Sequence, residues 1–188
     1  MRIGVLALQG AFIEHERKIR GMGAESVELR SLRDLSSPLD GIILPGGEST
    51  VQMKLLGESG MYSPLKAMIE DGIPVLGTCA GLILLSSSIE GQTETCFSTL
   101  PVTVRRNAYG RQLGSFHTSA SVEGEGVVEM TFIRAPVITE AGEGVEILSR
   151  VGGKTVAVRY RNQYALSFHP ELEKAGDSEW IYRRAFGL

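Results

Sequence analysis

Three short segments of this chain bring together residue types that can do chemistry. In Gly77-Thr78-Cys79-Ala80-Gly81 an apolar run ends, a turn of small residues follows, and an apolar helix pattern begins. Strand, tight turn and helix in that order form a nucleophile elbow. A cysteine there sits at a helix amino terminus, whose positive end and free N–H groups favour the thiolate, the form that attacks. The flanking glycines are expected to let a substrate approach closely. The competing explanation is a small core residue, since free cysteine packs as a hydrophobe.

The second segment is Phe168-His169-Pro170-Glu171, at the end of the last expected strand. In extended chain His169 and Glu171 project to the same face. An imidazole suits the base that takes a thiol proton and later returns it to a leaving group, and a neighbouring carboxylate fixes its tautomer. His15 and His117 show no such partner in sequence and are expected to be ordinary histidines. The third segment, Leu44-Pro45-Gly46-Gly47-Glu48-Ser49-Thr50, is a strand, a glycine turn and a helix start. Glu48 and Ser49 suit a first helical turn. The functional expectation is that the Gly47 N–H faces the elbow across the carboxyl ends of neighbouring strands and, with the Ala80 N–H, binds an oxyanion. Neither a Walker loop nor a Rossmann fingerprint fits these glycines.

The elements that must position these segments follow from periodicity. Ile3 to Leu8, Ser26 to Leu29, Gly41 to Leu44 and Pro74 to Gly77 read as strands, the last two near-continuously apolar as parallel strands covered on both faces are. Phe12 to Met22, Val51 to Leu56, Pro64 to Glu70 and Gly81 to Ser87 read as helices between and after them. From Val102 the rhythm changes. Strands are expected over Val102 to Val104, Ser115 to Val122, Val127 to Phe132, Val145 to Val151, Thr155 to Tyr160 and Tyr164 to Phe168, with a closing helix over Trp180 to Phe186. The fold class is therefore α/β, a parallel core with antiparallel additions.

The 188 residues suffice for one domain, expected over 1–188, and no repeat or linker divides them. A net charge of −3 with interspersed signs leaves no basic stripe for nucleic acid or anionic lipid, so neither is expected as a partner. The apolar run at the amino terminus is too short to span a membrane. Cys79 and Cys96 lack the spacing of a zinc site or a disulfide framework, so no metal is expected and a reducing cytoplasm is the expected location.

A glycine turn, an elbow cysteine and a His-Pro-Glu near the carboxyl end, in that order, resemble the class I, triad-type glutamine amidotransferases. Within them, Leu8-Gln9-Gly10-Ala11 with Glu14-His15, Pro45 to Thr50, Gly77 to Leu82, Arg106-Asn107-Ala108-Tyr109-Gly110-Arg111-Gln112, Phe132 to Pro136 and Ser167 to Leu172 are similar to the glutaminase subunits of pyridoxal 5'-phosphate synthases, over essentially the whole chain. The resemblance implies a single-domain three-layer fold with a mostly parallel central sheet, and a triad of Cys79, His169 and Glu171. It implies L-glutamine held near Gly47, Glu48, Ser49, Arg106, Ile133 and Arg134, and no cofactor on this chain. An amino-acid substrate needs a cation such as Arg106 or Arg134 for its carboxylate and an anion such as Glu48 for its ammonium. The implied partner is a synthase (lyase) subunit in a hetero-oligomer, which receives the ammonia and builds pyridoxal 5'-phosphate from ribose 5-phosphate and glyceraldehyde 3-phosphate. The Gln9-Gly10-Ala11 segment is placed near that interface, where docking is expected to reorder it and complete the oxyanion hole.

Thr95-Cys96-Phe97-Ser98 and Glu173-Lys174-Ala175-Gly176 depart from the family pattern, and Cys96 is either buried filler or an exposed thiol. Three rivals remain at this level: a glutaminase of another amination route, a gamma-glutamyl hydrolase or peptidase, and a silent regulatory module. The Arg106 to Gln112 run argues against the first, a cleft wide enough for a peptide would mark the second, and the third would lack a triad residue.

Overall fold

The apolar runs of the first half become parallel strands in the computed structural model, which describes residues 1–110 and 114–188. β1 (Arg2–Leu6), β2 (Glu25–Leu29), β3 (Gly41–Leu44) and β4 (Val75–Thr78) pair in the order β2-β1-β3-β4, all parallel. A fifth parallel strand comes from the far end of the chain. β12 (Gln163–Leu166) lies beside β4 with Leu166 opposite Thr78, so the residues following each strand emerge side by side.

These strands are apolar on both faces because both faces are covered. In β3, Ile43 packs into one core with Ile19 of α1 (Phe12–Gly21) and Ile181 of α5 (Glu179–Phe186). Ile42 and Leu44 point the other way, into a core shared with Leu56 of α2 (Ser49–Glu58), Leu65 of α3 (Tyr62–Glu70) and Leu82 of α4 (Ala80–Leu85). Each fully buried side chain of this size stabilises the fold by roughly 1.5–3 kcal/mol, so the alternation fixes register and layering together. The result is the expected α/β arrangement of helix, sheet and helix.

The second half supplies antiparallel strands. β11 (Lys154–Tyr160) pairs antiparallel with β12, and the sheet continues through β10 (Glu146–Val151), β7 (Ser115–Val122) and β8 (Gly126–Ile133). A branch leaves β11 through β9 (Val137–Ala141) to β6 (Leu100–Arg105) and β5 (Ser86–Ile89). Two stretches of the sheet differ from expectation. The helix expected to run through Ser87 stops at Leu85, because Ser86 turns extended (ψ 143) with its hydroxyl on the Ile83 carbonyl, and the chain pairs in parallel with β6. β9 was not expected: its second half is exposed, and it is a strand by pairing with β6 and β11.

Stacked aromatics tie the β7–β8 hairpin to the segment that carries His169. Phe116 stacks on Phe132 at 4.6 Å, and Phe132 meets Phe168 at 5.7 Å. The backbone N–H of His169 then donates to Thr131 O of β8 (2.8 Å). The hairpin therefore forms one wall of whatever site His169 serves.

Candidate active site

Parallel strands leave their carboxyl ends together, and ligand sites of open α/β sheets form there. Here the loops after β1, β3, β4 and β12 meet at that edge. The β4 loop is a single sharp residue: Cys79 has φ 50 and ψ −98, a backbone that side chains other than glycine rarely adopt. Its N–H donates to Leu166 O (2.8 Å), which welds the turn to β12. Gly77 and Gly81 do not open the elbow to substrate, contrary to expectation. A Cβ on Gly81 would lie 2.0 Å from Leu44 O, and one on Gly77 would lie 2.8 Å from the Gly81 carbonyl carbon, so both glycines serve the close packing of α4 on the sheet.

His169 and Glu171 come together by a different geometry from that expected. Pro170–Leu172 form a 3-10 turn in place of extended chain. The turn folds the carboxylate back beneath the ring, with His169 Nδ1 2.7 Å from Glu171 Oε1. Glu171 is 4% exposed and His169 6%. Burial alone lowers the His169 pKa, but the Cys79 sulfur and then the Glu171 carboxylate overcome it and raise it to about 10. Burial in turn opposes the charge on Glu171, yet His15 and His169 hold its pKa below the ordinary value. The arrangement keeps a protonated imidazole beside sulfur and an ionised carboxylate behind it.

One cavity of about 280 Å³ is lined by Gly47, Glu48, Ser49, Cys79, Arg106, Ile133, Arg134 and His169, so eight of the ten residues singled out from sequence share it. The other two stand behind its wall: Glu171 beneath His169, and Ala80 as the buried first residue of α4, where backbone N–H groups have no partner within the helix. The Cys79 thiol faces the Ile133 carbonyl at 3.8 Å. Arg134 (φ 44) reaches across the mouth to pair with Glu48. Gly46 lies against the His169 ring, where a Cβ would come within 2.3 Å of Cε1. Of the Arg106 to Gln112 run, Arg106 and Asn107 line the cavity, while Arg111 and Gln112 lie outside the described residues.

The loop after β1 is also part of the site. The Ala11 N–H donates to Gly46 O (3.0 Å), Gln9 Oε1 accepts the Glu48 N–H (2.8 Å), and Gln52 Nε2 donates to Gln9 O (2.9 Å). Because a trans peptide points its N–H opposite its C=O, the Ala11 contact sets the direction of the Gly47 N–H. His15 departs from the ordinary role expected: it is fully buried, with Nε2 3.3 Å from Glu171 Oε2. His117 also has carboxylate neighbours, Glu173 at 3.3 Å and Glu129 at 3.4 Å, but on the exposed face of β7 outside the cavity. Cys96 is buried, with its thiol pKa pushed up to about 12 by burial, so it is filler.

Comparison with known proteins follows the same line. A profile of the SNO glutamine amidotransferase family matches residues 5–183. The chain belongs to the SNO glutamine amidotransferase family. It is 58% identical over 172 residues to pyridoxal 5'-phosphate synthase subunit PdxT of Desulfitobacterium hafniense (strain Y51), covering 92% of this chain and 86% of that one. The subunit of the same name from Methanocorpusculum labreanum is 56% identical over 183 residues, 97% of this chain and 95% of its own. A crystal structure of a glutamine amidotransferase superposes with a TM-score of 0.91 at 41% identity, covering 99% of each chain. The mixed sheet described above is thus shared with a glutamine amidotransferase of known structure.

Proposed function

We propose that the chain, as one glutaminase domain over residues 1–188, hydrolyses L-glutamine to L-glutamate and ammonia with Cys79 as nucleophile, His169 as acid and base, and Glu171 as its orienting carboxylate. The observation that carries this reading is the elbow backbone of Cys79 opening into the same cavity as the buried His169–Glu171 pair. Relatives at 54–58% identity named as pyridoxal 5'-phosphate synthase subunits support the pathway, and the ammonia passes to a synthase subunit that assembles pyridoxal 5'-phosphate.

The chemistry runs in two halves. The Cys79 thiolate attacks the side-chain amide carbon of glutamine, and the carbonyl oxygen gathers negative charge against the Ala80 and Gly47 N–H groups. The tetrahedral intermediate collapses as His169 gives its proton to the departing nitrogen, leaving a glutamyl thioester and ammonia. Neutral His169 then takes a proton from water, the hydroxide adds to the thioester carbon, and the carbon–sulfur bond breaks to release glutamate and the thiolate. Glu171 holds the ring and transfers no proton. Arg106 or Arg134 receives the substrate carboxylate and Glu48 its ammonium, with Ser49 and the Ile133 carbonyl completing the pocket. That places the Arg134–Glu48 pair at the point where the free amino acid must enter, and the small cavity suits one amino acid better than a peptide. Two free cysteines, one needed as thiolate, fit a reducing cytoplasm. No helix among the described residues is long and apolar enough to cross a membrane.

The test is glutamate release from L-glutamine by wild type and Cys79→Ala, with and without the synthase subunit. Activity that rises with the synthase and vanishes in Cys79→Ala is the expected result. Activity persisting in Cys79→Ala would overturn the triad.

A further inference from the structure

Behind the cavity wall, on the side of Glu171 away from His169, four buried polar groups meet. His15 of α1 is fully buried, with Nδ1 2.8 Å from Tyr182 Oη of α5 and Nε2 3.1 Å from Thr78 Oγ1 of β4 and 3.3 Å from Glu171 Oε2. That carboxylate oxygen is buried and has no hydrogen bond among the described groups, which leaves His15 Nε2 at 3.3 Å as the polar group facing it. Thr78 Oγ1 also accepts the Gly46 N–H (3.1 Å). One imidazole thus touches the carboxylate of the catalytic pair, the residue before the nucleophile and, through it, the peptide before the oxyanion glycine.

The protonation of this cluster follows from its neighbours. Tyr182 is buried, and burial followed by the Glu171 charge raises its pKa well above the ordinary value, so it stays a phenol with a proton to give to Nδ1. With Nδ1 accepting, the proton of a neutral ring sits on Nε2. An unprotonated Nε2 would set its lone pair against a carboxylate oxygen 3.3 Å away, whereas Nε2–H bonds to Thr78 Oγ1 and presents its positive end near that oxygen. The charged and titrating groups around the ring are Glu171 and His169 from the loop after β12, and Glu14 and Lys18 on its own helix. Burial dominates them and lowers the pKa of the ring.

We propose that His15 is a positioning residue for the glutaminase reaction: its Nε2–H fixes the second oxygen of Glu171 and, through Thr78, the Gly46 peptide, so that the hydrogen-bonding and acid–base parts of the site are held in one frame. The chain of contacts runs Tyr182, His15, Glu171, His169, Cys79. His15 touches neither substrate nor the reacting atoms. Its effect is on how Glu171 presents Oε1 to His169, and a carboxylate free to rotate would support the imidazolium and its thiolate partner less well. α1 begins directly after the Gln9-Gly10-Ala11 loop, so the same helix that starts at the Gly46 turn carries the residue that steadies the triad.

This inference rests on the glutaminase reading, and the experiment separates the two. His15→Gln places an amide nitrogen where Nε2 stood, while His15→Asn places one where Nδ1 stood and loses the donor to Glu171. With saturating synthase subunit, His15→Asn is expected to lower kcat by about tenfold to a hundredfold with KM for glutamine within about twofold, and His15→Gln to recover most of the loss. Iodoacetamide alkylation of Cys79 across pH gives a readout independent of glutamine turnover: in His15→Asn its midpoint moves to higher pH, and in His15→Gln it returns toward wild type. Tyr182→Phe, which leaves His15 in place, is expected to move the midpoint in the same direction with a smaller loss of kcat, and serves if the His15 variants do not fold. A folded His15→Asn with wild-type kcat and alkylation profile overturns the proposal, as do equal losses in the Asn and Gln variants, or an unchanged Tyr182→Phe where it stands alone. A wild type without Cys79-dependent glutamate release would count against the glutaminase reading, while the alkylation profiles would still decide the role of His15.

Discussion

Three buried ionisable groups, His15, His169 and Glu171, share their environment but respond to pH in different directions. The His15 pKa is lowered from 6.5 by burial, so the folded chain resists a proton that the unfolded chain accepts. Stability from this residue is complete above 6.5 and falls as pH drops below it, because the unfolded state binds more protons there. His169 has the opposite sign: raised to about 10, it contributes stability that is present below 6.5 and lost as pH climbs toward 10. Below 6.5 His169 is protonated in both states, which leaves His15 to set the slope, until Glu171 adds its own loss below its ordinary value of 4.5. Urea unfolding between pH 5 and 6.5 is expected to show wild-type stability declining toward acid by up to about 1.4 kcal/mol per pH unit, and His15→Gln is expected to flatten that decline. Equal slopes in the two proteins would show that His15 is charged in the folded state.

At the scale of elements, the site depends on how closely α4 lies on β3 and β4, and that is a matter of missing side chains. Gly81→Ala would drive a methyl into the Leu44 carbonyl at 2.0 Å, a backbone atom of a central strand that cannot step aside. Such overpacking costs roughly 1–3 kcal/mol and sometimes more, so the variant should lose at least that much in urea unfolding and turn over slowly because the elbow moves with the helix. Gly57→Ala in α2 meets nothing within 4 Å. There the change exchanges a poor helix former for a good one and is expected to stabilise by about 0.5–1 kcal/mol. A Gly81→Ala protein as stable as wild type would mean that α4 can retreat from the sheet.

For the whole molecule, the question is how an ammonia-producing subunit avoids wasting glutamine. The Gly46 carbonyl is held by the Ala11 N–H, and Glu48 N–H by Gln9, so the turn bearing the proposed oxyanion glycine is tied to the loop after β1. Ile13 and Val51, large apolar side chains 45% and 43% exposed, lie in the first turns of the two helices that start from these loops. A synthase surface resting there is expected to shift the Gly46–Gly47 peptide and so complete the oxyanion site. The isolated chain is expected to turn over glutamine slowly, with a rise of at least about tenfold when saturated with synthase, the scale of one oxyanion donor being larger still. Ile13→Asp should weaken that stimulation while leaving the slow rate of the isolated chain. Equal rates with and without synthase would refute the coupling.

The sequence by itself determined the local grammar of this protein. Short near-continuous apolar runs such as Gly41 to Leu44 suit strands covered on both faces, and Gly77 to Gly81 is an elbow because a strand pattern stops one residue before a helix pattern starts. Cys79, His169 and Glu171 stand out in sequence because they sit in short motifs, whereas Arg106, Ile133 and Arg134, which line the same cavity, are singled out only through the family resemblance. Tertiary structure decided what depends on partners distant in the chain. β9 is a strand through its pairing with β6 and β11, and Ser86 leaves the helix to join β6. Gly81 looks like room for a substrate until Leu44, far off in sequence, is seen to occupy that space. His15 looks ordinary on its helix, because Thr78, Glu171 and Tyr182 reach it from three separate elements. A buried polar group takes its role from the groups that satisfy it, and those are set by packing, which no local pattern contains.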